Sequence, residues 1–421
     1  MPKAKFDLVV YGATSFVGSI LTRYIATTYG HGKDLRWAIA GRSEEKLAKL
    51  RNSLRDVLAQ HTSELEIIIA DANDDAALSA MCDRARVIVS TVGPYALYGE
   101  PLVRACVNGG VDYCDLTGEP QWIKRMLEKY EKQAQISGAR IVNCCGFDSI
   151  PSDMGVYHLQ ALAEERLGAP VKHVAMRVKA AKGGMSGGTI GSMMQLTKEA
   201  VADPGIRRDL ANPYSLCPLP VETTQRQPDL KKAVIDTYTG SWSMPFIMAA
   251  INTRIVHRSN ALKQYAYGKD FIYEETMLTG KGAKGAAMAW SLTLGLGTFL
   301  GLSALAPTRT LMEKYLLPKA GEGPSPKEQE EGFFDIRFFG INKNNVVIKT
   351  KVTGDKDPGY GFTGKMLGEA AVCLALDYHN KGKKRWAKGG FWTPGSVFND
   401  VFMERLQTNC NMKFIDLTDK S

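Results

Sequence analysis

LVVYGATSFVGSILTRYI, which runs from Leu8 to Ile25, is the stretch that decides the fold of the first part of this chain. An apolar run leads into two spaced glycines, Gly12 and Gly18, and then into a segment with helical periodicity. A strand, a tight glycine turn and a helix in this order are typical of the first unit of a dinucleotide-binding domain. In such a unit a third glycine usually stands between the other two, and here that position is Ser15.

The sequence predicts that this turn binds the pyrophosphate of a dinucleotide although Ser15 replaces a glycine. The serine adds one small side chain, and its hydroxyl offers a hydrogen-bond donor to a phosphate oxygen. The helix that begins near Phe16 directs backbone N–H groups and the positive end of its dipole at the same phosphate. The residues predicted to contact the cofactor here are Gly12, Ala13, Thr14, Ser15, Phe16, Val17 and Gly18. The alternative is a plain turn that joins a strand to a helix.

The end of the second predicted strand indicates which dinucleotide is bound. Domains that select NAD usually carry an acidic residue there, which holds the ribose 2′-hydroxyl. In this chain the strand Leu35 to Ala40 is followed by Arg42 and Ser43. A guanidinium presents paired donors that match a phosphate, so the sequence predicts NADPH, with Ser43 assisting Arg42. An arginine that merely lies on the surface is the alternative.

Two further predicted strands end near the same site. Ligands of open parallel sheets bind outside the carboxyl ends of the strands. Asp71 and Ala72, at the end of the third strand, are therefore expected to border the adenine. The residues after the fourth strand are expected to pass near the nicotinamide ribose, and they are Thr91, Val92, Gly93 and Pro94.

Strands and helices alternate over about the first 150 residues, which predicts an α/β fold. We expect an N-terminal Rossmann domain with a doubly wound parallel sheet, followed by a second domain of α+β type. The predicted boundaries are 1–153 for the NADP-binding domain, 154–378 for the substrate or membrane-associated domain, and 379–421 for a C-terminal segment that packs back on the Rossmann domain.

Composition narrows the class of protein. With 44% hydrophobic and 23% charged residues the chain is globular. The net charge of +9 comes without any nucleic-acid-binding motif, so no nucleic-acid partner is expected. The eight cysteines form no CxxC pair and the histidines do not cluster near them, so no metal site is expected. Reduced thiols and the lack of a signal peptide favour a cytoplasmic protein.

Longer motifs resemble a known family. YGATSFVG, AGRSEEKL, VGPYALYGEPLVRAC, DLTGEP and GFDSIPSDMGV together resemble the saccharopine dehydrogenase-like oxidoreductases. In the second half, KGGMSGGTIGSM, NTRIVHRSNAL, AYGKDFIYEETM and DKDPGYGFT resemble the trans-acting enoyl reductase branch of that family. The resemblance extends from Val9 to about Phe398, and Ser15 departs from the glycine that is usual in the family.

The resemblance implies an NADPH-dependent enoyl reductase that works in trans with a partner polyketide synthase. Such an enzyme saturates a C=C bond in a long acyl or polyketide-derived lipid precursor during glycolipid biosynthesis. Animal relatives in the wider family occur on membranes and lipid droplets, which implies a cytoplasmic protein that is peripheral to such surfaces. A homodimer is compatible with the sequence, which leaves the oligomeric state open.

Two other functions remain open. A saccharopine-type imine reductase would need cationic side chains for the substrate carboxylates, for which Arg177, Arg254 and Arg258 are available. The segment NTRIVHRSN, which contains two of them, also fits an ordinary strand or surface turn. The other alternative is a non-enzymatic NADPH-binding protein on lipid surfaces, which would hold the cofactor without oxidising it.

One apolar segment fits the lipid context. Residues 285–308 carry no charge, and Lys281, Lys284, Arg309 and Lys314 flank them. At about 1.5 Å per residue, a helix of this length would reach across a bilayer core of roughly 30 Å. Three interpretations stay open: a membrane-spanning helix, a helix or hairpin on a membrane surface, and a helix buried in the second domain or in an oligomer interface.

The chemistry of enoyl reduction points to candidate catalytic residues. Reduction needs a donor for the developing enolate oxygen and a proton for the α-carbon. Tyr95 and Tyr98 follow the fourth strand, and Asp148 and Ser149 follow the sixth. We expect Tyr98 to be the general acid. The tyrosines also fit a role in packing under the cofactor, and Asp148 and Ser149 fit a role in capping the helix that begins near Pro151.

Overall fold

The structure is a computed structural model that describes residues 4–32, 34–147, 149–184, 187–223, 225–315, 323–342, 345–379 and 387–419. The chain divides into two compact units. Unit 1 comprises Met1–Phe147, Gly321–Gly323 and Gly359–Cys410, and unit 2 comprises Asp148–Ala320, Pro324–Pro358 and Asn411–Ser421.

Unit 1 contains a seven-stranded sheet in which every recorded strand pair is parallel. Its strands are β1 (Phe6–Tyr11), β2 (Trp37–Gly41), β3 (Glu66–Ile69), β4 (Ala85–Ser90), β5 (Asp112–Asp115), β6 (Arg140–Val142) and β13 (Gly390–Trp392). The spatial order is β13-β6-β5-β4-β1-β2-β3. Every residue of β1 and β2 is buried, as expected of strands covered on both faces. The predicted Rossmann-type sheet is confirmed.

The helices of unit 1 lie between its strands in the sequence and after them. They are α1 (Phe16–Tyr29), α2 (Glu44–Asn52), α3 (Arg55–Leu58), α4 (Asp75–Cys82), α5 (Tyr95–Tyr98), α6 (Glu100–Gly109), α7 (Pro120–Ser137), α15 (Thr363–Val372), α16 (Pro394–Val397) and α17 (Asp400–Cys410). A 3₁₀ segment spans Ala59–Glu64, and π-helical turns span Pro358–Phe362 and Cys373–Tyr378.

The chain returns to unit 1 at Gly359, earlier than the C-terminal segment 379–421 that the sequence predicts to pack back on the Rossmann domain, and Asn411–Ser421 belongs to unit 2. Two glycines of α15 lie against α1, where a Cβ on Gly364 would come 2.9 Å from Ile20 Cγ2 and one on Gly368 2.7 Å from Tyr24 Cδ1. Strand β13 extends the sheet beside β6. The structure therefore places Gly359–Cys410 in unit 1, whereas the predicted division assigned residues 154–378 to the second domain.

Unit 2 contains a mixed seven-stranded sheet with the order β14-β12-β11-β7-β10-β9-β8. Only the β7–β10 pair is parallel among the pairs described. The strands are β7 (His173–Lys182), β8 (Val234–Ile235), β9 (Trp242–Pro245), β10 (Ile272–Gly280), β11 (Phe333–Asn342), β12 (Asn345–Gly354) and β14 (Lys413–Asp416). The helices are α8 (Ile150–Leu167), α9 (Gly187–Ala202), α10 (Pro204–Ala211), α11 (Ala249–Leu262), α12 (Gly282–Ala304), α13 (Ala306–Tyr315) and α14 (Pro326–Glu330).

The interpretation of NTRIVHRSN as a strand or surface turn is wrong. These residues lie inside α11 and most of them are buried. Arg254 and Arg258 are 4% exposed, and their guanidinium groups donate to backbone carbonyls that include those of Leu210 and Leu216. Arg177 is likewise buried, and it forms an ion pair with Asp236 at 2.6 Å.

The apolar segment forms α12, and it is not buried in unit 2. This helix is long and apolar enough to cross a membrane, yet only 11% of its most apolar window is buried. The buried residues of α12 are Gly285, Ala289 and Ser303. Of the three interpretations of this segment, the helix buried inside the second domain is excluded.

Candidate functional site

The glycine turn between β1 and α1 is closely packed. Gly12 has a φ of +80°, which favours glycine, and a Cβ there would lie 2.6 Å from Val92 Cγ2. A Cβ on Gly18 would lie 2.2 Å from the carbonyl oxygen of Gly12. Both positions therefore exclude any side chain, as the roles of the first and third glycines in a dinucleotide turn require.

Ser15 sits at the N-cap of α1. Its hydroxyl oxygen accepts from the N–H of Gly18 at 2.9 Å and lies 2.9 Å from Thr91 Oγ1. The hydroxyl of Thr91 donates its proton to the carbonyl oxygen of Gly12 at 2.9 Å. A hydroxyl has one proton, so while Thr91 keeps its bond to Gly12 the Ser15 hydroxyl donates to Thr91, and donation to a phosphate would replace that contact. The donation from Ser15 to the phosphate stays a prediction.

The residues of the turn nevertheless fit a bound pyrophosphate. The first N–H groups of a helix lack intrahelical acceptors. In α1 the Ser15 side chain takes the N–H of Gly18, which leaves those of Phe16 and Val17 for an anion. Gly12 supplies the tight turn that packs against Thr91 and Val92. Ala13 is buried beside the turn, whereas Thr14 is exposed at its tip.

Arg42 and Asp71 lie together at the carboxyl ends of β2 and β3. Burial raises the pKa of the Tyr11 phenol, the charge of Asp71 adds to the increase, and Arg42 opposes it, so both charges lie near this hydroxyl. Arg42 is exposed and makes no hydrogen bond or ion pair with any residue the structure describes. Ser43 accepts from the N–H of Lys46 and caps α2. A guanidinium without an internal partner is free to bind a 2′-phosphate.

The segment after β4 is fixed from within unit 1. Thr91 is buried against the glycine turn, whereas Val92 and Pro94 are half-buried and Gly93 is exposed. The carboxylate of Glu119 accepts from the N–H groups of Tyr95 and Ala96, at 2.9 and 2.8 Å. This carboxylate fixes the start of α5, and nothing in the sequence pattern singled it out.

The two candidate tyrosines differ in environment. Tyr95 is 3% exposed, its hydroxyl donates to the carbonyl of Ser90 at 3.0 Å, and its ring packs on Trp122. Tyr98 is 41% exposed, and its hydroxyl makes no hydrogen bond within the described ranges. Of the pair, Tyr98 is exposed and Tyr95 packs in the interior.

Of the two candidates after the sixth strand, Asp148 lies outside the described residues. Ser149 belongs to unit 2, where it occupies the N-cap position of α8 without a side-chain cap. Its hydroxyl donates instead to Asn252 Oδ1 at 3.0 Å, and the amide of Asn252 donates to Glu275 at 3.0 Å. Burial raises the pKa of Glu275 to about 7. The predicted cap by Ser149 is corrected to a contact with a buried polar network.

A second buried carboxyl group, Asp115, lies at the carboxyl end of β5 in unit 1. It accepts from the Tyr113 hydroxyl at 3.0 Å and the Asn143 amide at 2.8 Å, and also from the N–H groups of Thr117 and Cys144. Burial raises its pKa to about 7, against the hydrogen bonds, which lower it. It ties the ends of β5 and β6 together. The Asp-x-Thr pattern of DLT was the available signal for its turn.

Comparisons with known proteins agree with this geometry. The family model described as the saccharopine dehydrogenase NADP binding domain matches residues 8–142. A trans-acting enoyl reductase of Mycobacterium tuberculosis is 35% identical over 421 residues, which cover 96% of each chain. A second protein of that organism is 40% identical over 411 residues, which cover 96% of this chain and 95% of the relative. It is provisionally named a trans-acting enoyl reductase.

Among solved structures, apo histidine-tagged saccharopine dehydrogenase (L-Glu forming) from Saccharomyces cerevisiae is similar in fold alone. It is 14% identical with a TM-score of 0.51, and the match covers 97% of this chain and 98% of that one. The matched NADP-binding domain confirms the predicted cofactor, NADPH. The individual residues assigned to it stay predictions.

Proposed function

Because this chain belongs to the trans-acting enoyl reductase family of saccharopine dehydrogenase-like proteins and is an NADP-dependent oxidoreductase, we propose that it reduces a C=C bond conjugated to an acyl carbonyl. The observation that supports this most is the similarity to named enoyl reductases over 96% of the chain. The glycine turn supports NADPH as the donor, together with Arg42, which forms no ion pair or hydrogen bond within the described residues.

Bound NADPH supplies the hydride for such a reduction. The chain itself holds the carrier in place: the N–H groups of Phe16 and Val17 take the pyrophosphate, and Arg42 takes the 2′-phosphate. Asp71 and Ala72 border the adenine. The Thr91–Pro94 segment, which leads into the start of α5 that Glu119 holds, borders the nicotinamide ribose.

We assign the proton donor to Tyr98. Its hydroxyl is exposed and has no partner in the described chain, so it is available to a substrate carbonyl or α-carbon. The hydroxyl of Tyr95 donates to the carbonyl of Ser90, so Tyr95 is a positioning residue in this mechanism.

The proposed substrate is a long acyl or polyketide-derived thioester of glycolipid biosynthesis, delivered by a separate synthase. The words trans-acting and enoyl in the names of the relatives support the separate synthase and the C=C bond. The long acyl chain and the glycolipid context rest on the family resemblance of the sequence alone. The alternative, a saccharopine-type imine reductase, is less well supported because Arg177, Arg254 and Arg258 are buried and bonded within unit 2. No feature favours a non-enzymatic role over reduction.

The test is to incubate the protein with NADPH and separate panels of enoyl thioesters and imines, following the nicotinamide absorbance. We expect oxidation of NADPH by the enoyl thioesters alone, and deuteride from labelled NADPH in the saturated product by mass spectrometry. Oxidation by imines alone would transfer the assignment to the saccharopine-type reaction. Tight binding of NADPH without turnover on either panel would favour the non-enzymatic role.

Paired tyrosine variants test the assignment of the proton donor. Tyr98→Phe is expected to lower kcat about 100-fold, the typical contribution of general acid catalysis, with NADPH affinity and melting temperature unchanged. Tyr95→Phe loses a buried hydrogen bond, so we expect it to reduce stability by about 1 kcal/mol and to leave kcat nearly intact. Full turnover by Tyr98→Phe would remove this residue from the mechanism.

A further inference from the structure

The most apolar surface of the described chain lies along α12. About half of the exposed large hydrophobic side chains fall between Met288 and Leu311. We define the α12 apolar surface as Met288, Trp290, Leu292, Leu294, Leu300, Leu302 and Leu305. Contiguous apolar patches of this kind on a folded protein mark contact surfaces, because exposing them to water is unfavourable.

This helix is apolar around most of its circumference rather than along one stripe. A water-exposed helix normally carries polar side chains opposite its buried stripe. In α12 the buried positions are Gly285, Ala289 and Ser303, and the exposed positions include leucines and a tryptophan. Opposite the buried positions the helix carries only two small exposed polar side chains, Ser291 and Thr298, and no charged residue occurs from Gly285 to Ala304, so it lacks the charged solvent face of a helix that lies in water.

Two hydroxyl groups of α12 are already satisfied within the helix. Thr293 Oγ1 donates to the carbonyl of Ala289 at 2.7 Å, and Ser303 Oγ donates to that of Leu300 at 2.9 Å. A hydroxyl without a partner is costly in hydrocarbon, whereas one bonded to its own helix is tolerated there. These groups therefore do not oppose transfer of the helix into an apolar medium.

The charges around α12 are of one sign. Lys281 and Lys284 precede the apolar surface, Arg309 follows it, and no aspartate or glutamate occurs from Thr276 to Met312. Cations at both ends of an apolar helix suit a surface of anionic headgroups. A second copy of the chain would bring the same cations together without a carboxylate to neutralise them, so self-association is less favourable.

Both ends of α12 are attached to unit 2. Ala289 belongs to a cluster with Ala233 and Met244, and Phe299 packs on a cluster that includes Ile190 and Met312. A helix crossing a bilayer would carry its ends to opposite sides, which would separate these contacts. The helix therefore lies along a membrane surface if it enters lipid with its fold intact.

We propose that unit 2 docks on an anionic phospholipid bilayer through the α12 apolar surface, with α12 lying in the interface between headgroups and acyl chains. This goes beyond the reduction of an acyl double bond, which does not itself require a membrane. It places the protein where a long acyl precursor partitions.

Flotation with liposomes tests the proposal independently of enzymatic activity. We expect the full chain to float with vesicles of phosphatidylcholine and phosphatidylglycerol, and more weakly with pure phosphatidylcholine. The double variant Leu292→Glu and Leu294→Glu should reduce the bound fraction about tenfold or more. The matched control is Leu219→Glu, an exposed leucine of unit 2 outside this surface, and it should bind like the wild type.

A second measurement does not depend on how the glutamate variants fold. Vesicles with brominated acyl chains should quench Trp290 fluorescence in the wild-type protein, and Trp290→Phe should abolish the quenched component. Absence of flotation with both vesicles, or equal flotation of wild type and double variant, would overturn the proposal. A wild-type protein that forms a dimer, does not bind vesicles and becomes monomeric in the double glutamate variant would also overturn the proposal. The α12 apolar surface would then contact a second copy of the chain instead of a membrane.

Discussion

We expect cofactor selection to depend on Arg42. It is exposed at the end of β2, where NAD-selective domains carry an acid, and it lacks an internal ion pair within the described chain. Because hydrogen bonds to charged groups contribute about 1.5–3 kcal/mol, Arg42→Ala is expected to weaken NADPH binding by about 10- to 100-fold and NADH binding little. Titration of both cofactors by nicotinamide fluorescence measures this.

Arg42→Lys serves as the matched variant for that prediction. It keeps the charge but loses the paired donors, so its NADPH affinity should fall between those of the wild type and Arg42→Ala. Equal losses for NADH and NADPH in Arg42→Ala would contradict the assignment.

Asp115 makes the stability of unit 1 depend on pH. Its pKa is about 7 in the folded chain, against about 3.9 for an unperturbed aspartate. The folded state therefore binds this proton more tightly, so the stabilisation is complete below about pH 4 and is lost as the pH rises to about 7. Asp115→Asn should remove a slope of up to about 1.4 kcal/mol per pH unit from the free energy of unfolding in that range. Urea denaturation of both proteins at a series of pH values checks it; parallel curves would contradict it.

At the residue scale, the sequence predicted the identities but not the contacts. The glycine positions and Arg42 follow from spacing, because the turn geometry dictates which residues stand there. The donation from Ser15 to Thr91 depends on side chains far apart in the chain, which spacing does not reveal. Glu119 and Asp115 lie in the motif DLTGEP, but their roles were not predicted because most of their partners come from distant parts of the chain.

Two helices each contain a pair of glycines four residues apart, and the surroundings of each helix decide how a Gly→Ala substitution changes stability. Gly364 and Gly368 of α15 lie against α1, where added methyl groups would meet Ile20 and Tyr24 at under 3 Å. Gly297 and Gly301 of α12 have nothing within 4 Å. Overpacking costs about 1–3 kcal/mol per site, whereas a helical Gly→Ala change in open space gains up to about 1 kcal/mol.

We therefore expect Gly364→Ala with Gly368→Ala to lower the free energy of unfolding by about 2–6 kcal/mol. Gly297→Ala with Gly301→Ala should raise it by up to about 2 kcal/mol. Chemical denaturation of the two double variants compares them directly, and similar changes in both would show that α15 does not pack as described.

Elements with strong local signals were predictable, and those defined by tertiary packing were not. The strands of unit 1 read as apolar runs because both faces of a parallel sheet are covered. The second domain was predicted to be of α+β type, and its strands β11 and β12 pair antiparallel. The prediction for NTRIVHRSN was wrong because arginines are typical of a protein surface. In α11 they are buried instead, and they donate to backbone carbonyls.

At the scale of the whole molecule, the division into units does not follow chain order. A boundary near residue 153 is what strand–helix alternation indicates, because alternation is a local signal. The structure instead returns Gly359–Cys410 to unit 1, where α15 covers α1 and β13 extends the sheet beside β6. The sequence predicts a return for residues 379–421, but local periodicity does not place its start at Gly359 or its end at Cys410.

A fragment of residues 1–153 is therefore expected to lack part of its own core. Without α15, the surface of α1 around Ile20 and Tyr24 is exposed, so we expect aggregation or a melting temperature at least about 10 °C below that of the intact unit. A fusion of residues 1–147 to 359–410 restores these contacts. Its junction is short, because the N–H of Phe147 donates to Thr363 Oγ1 at 3.0 Å. The fusion should bind NADPH, with thermal unfolding as a second measure, and a stable, NADPH-binding 1–153 fragment would contradict the division.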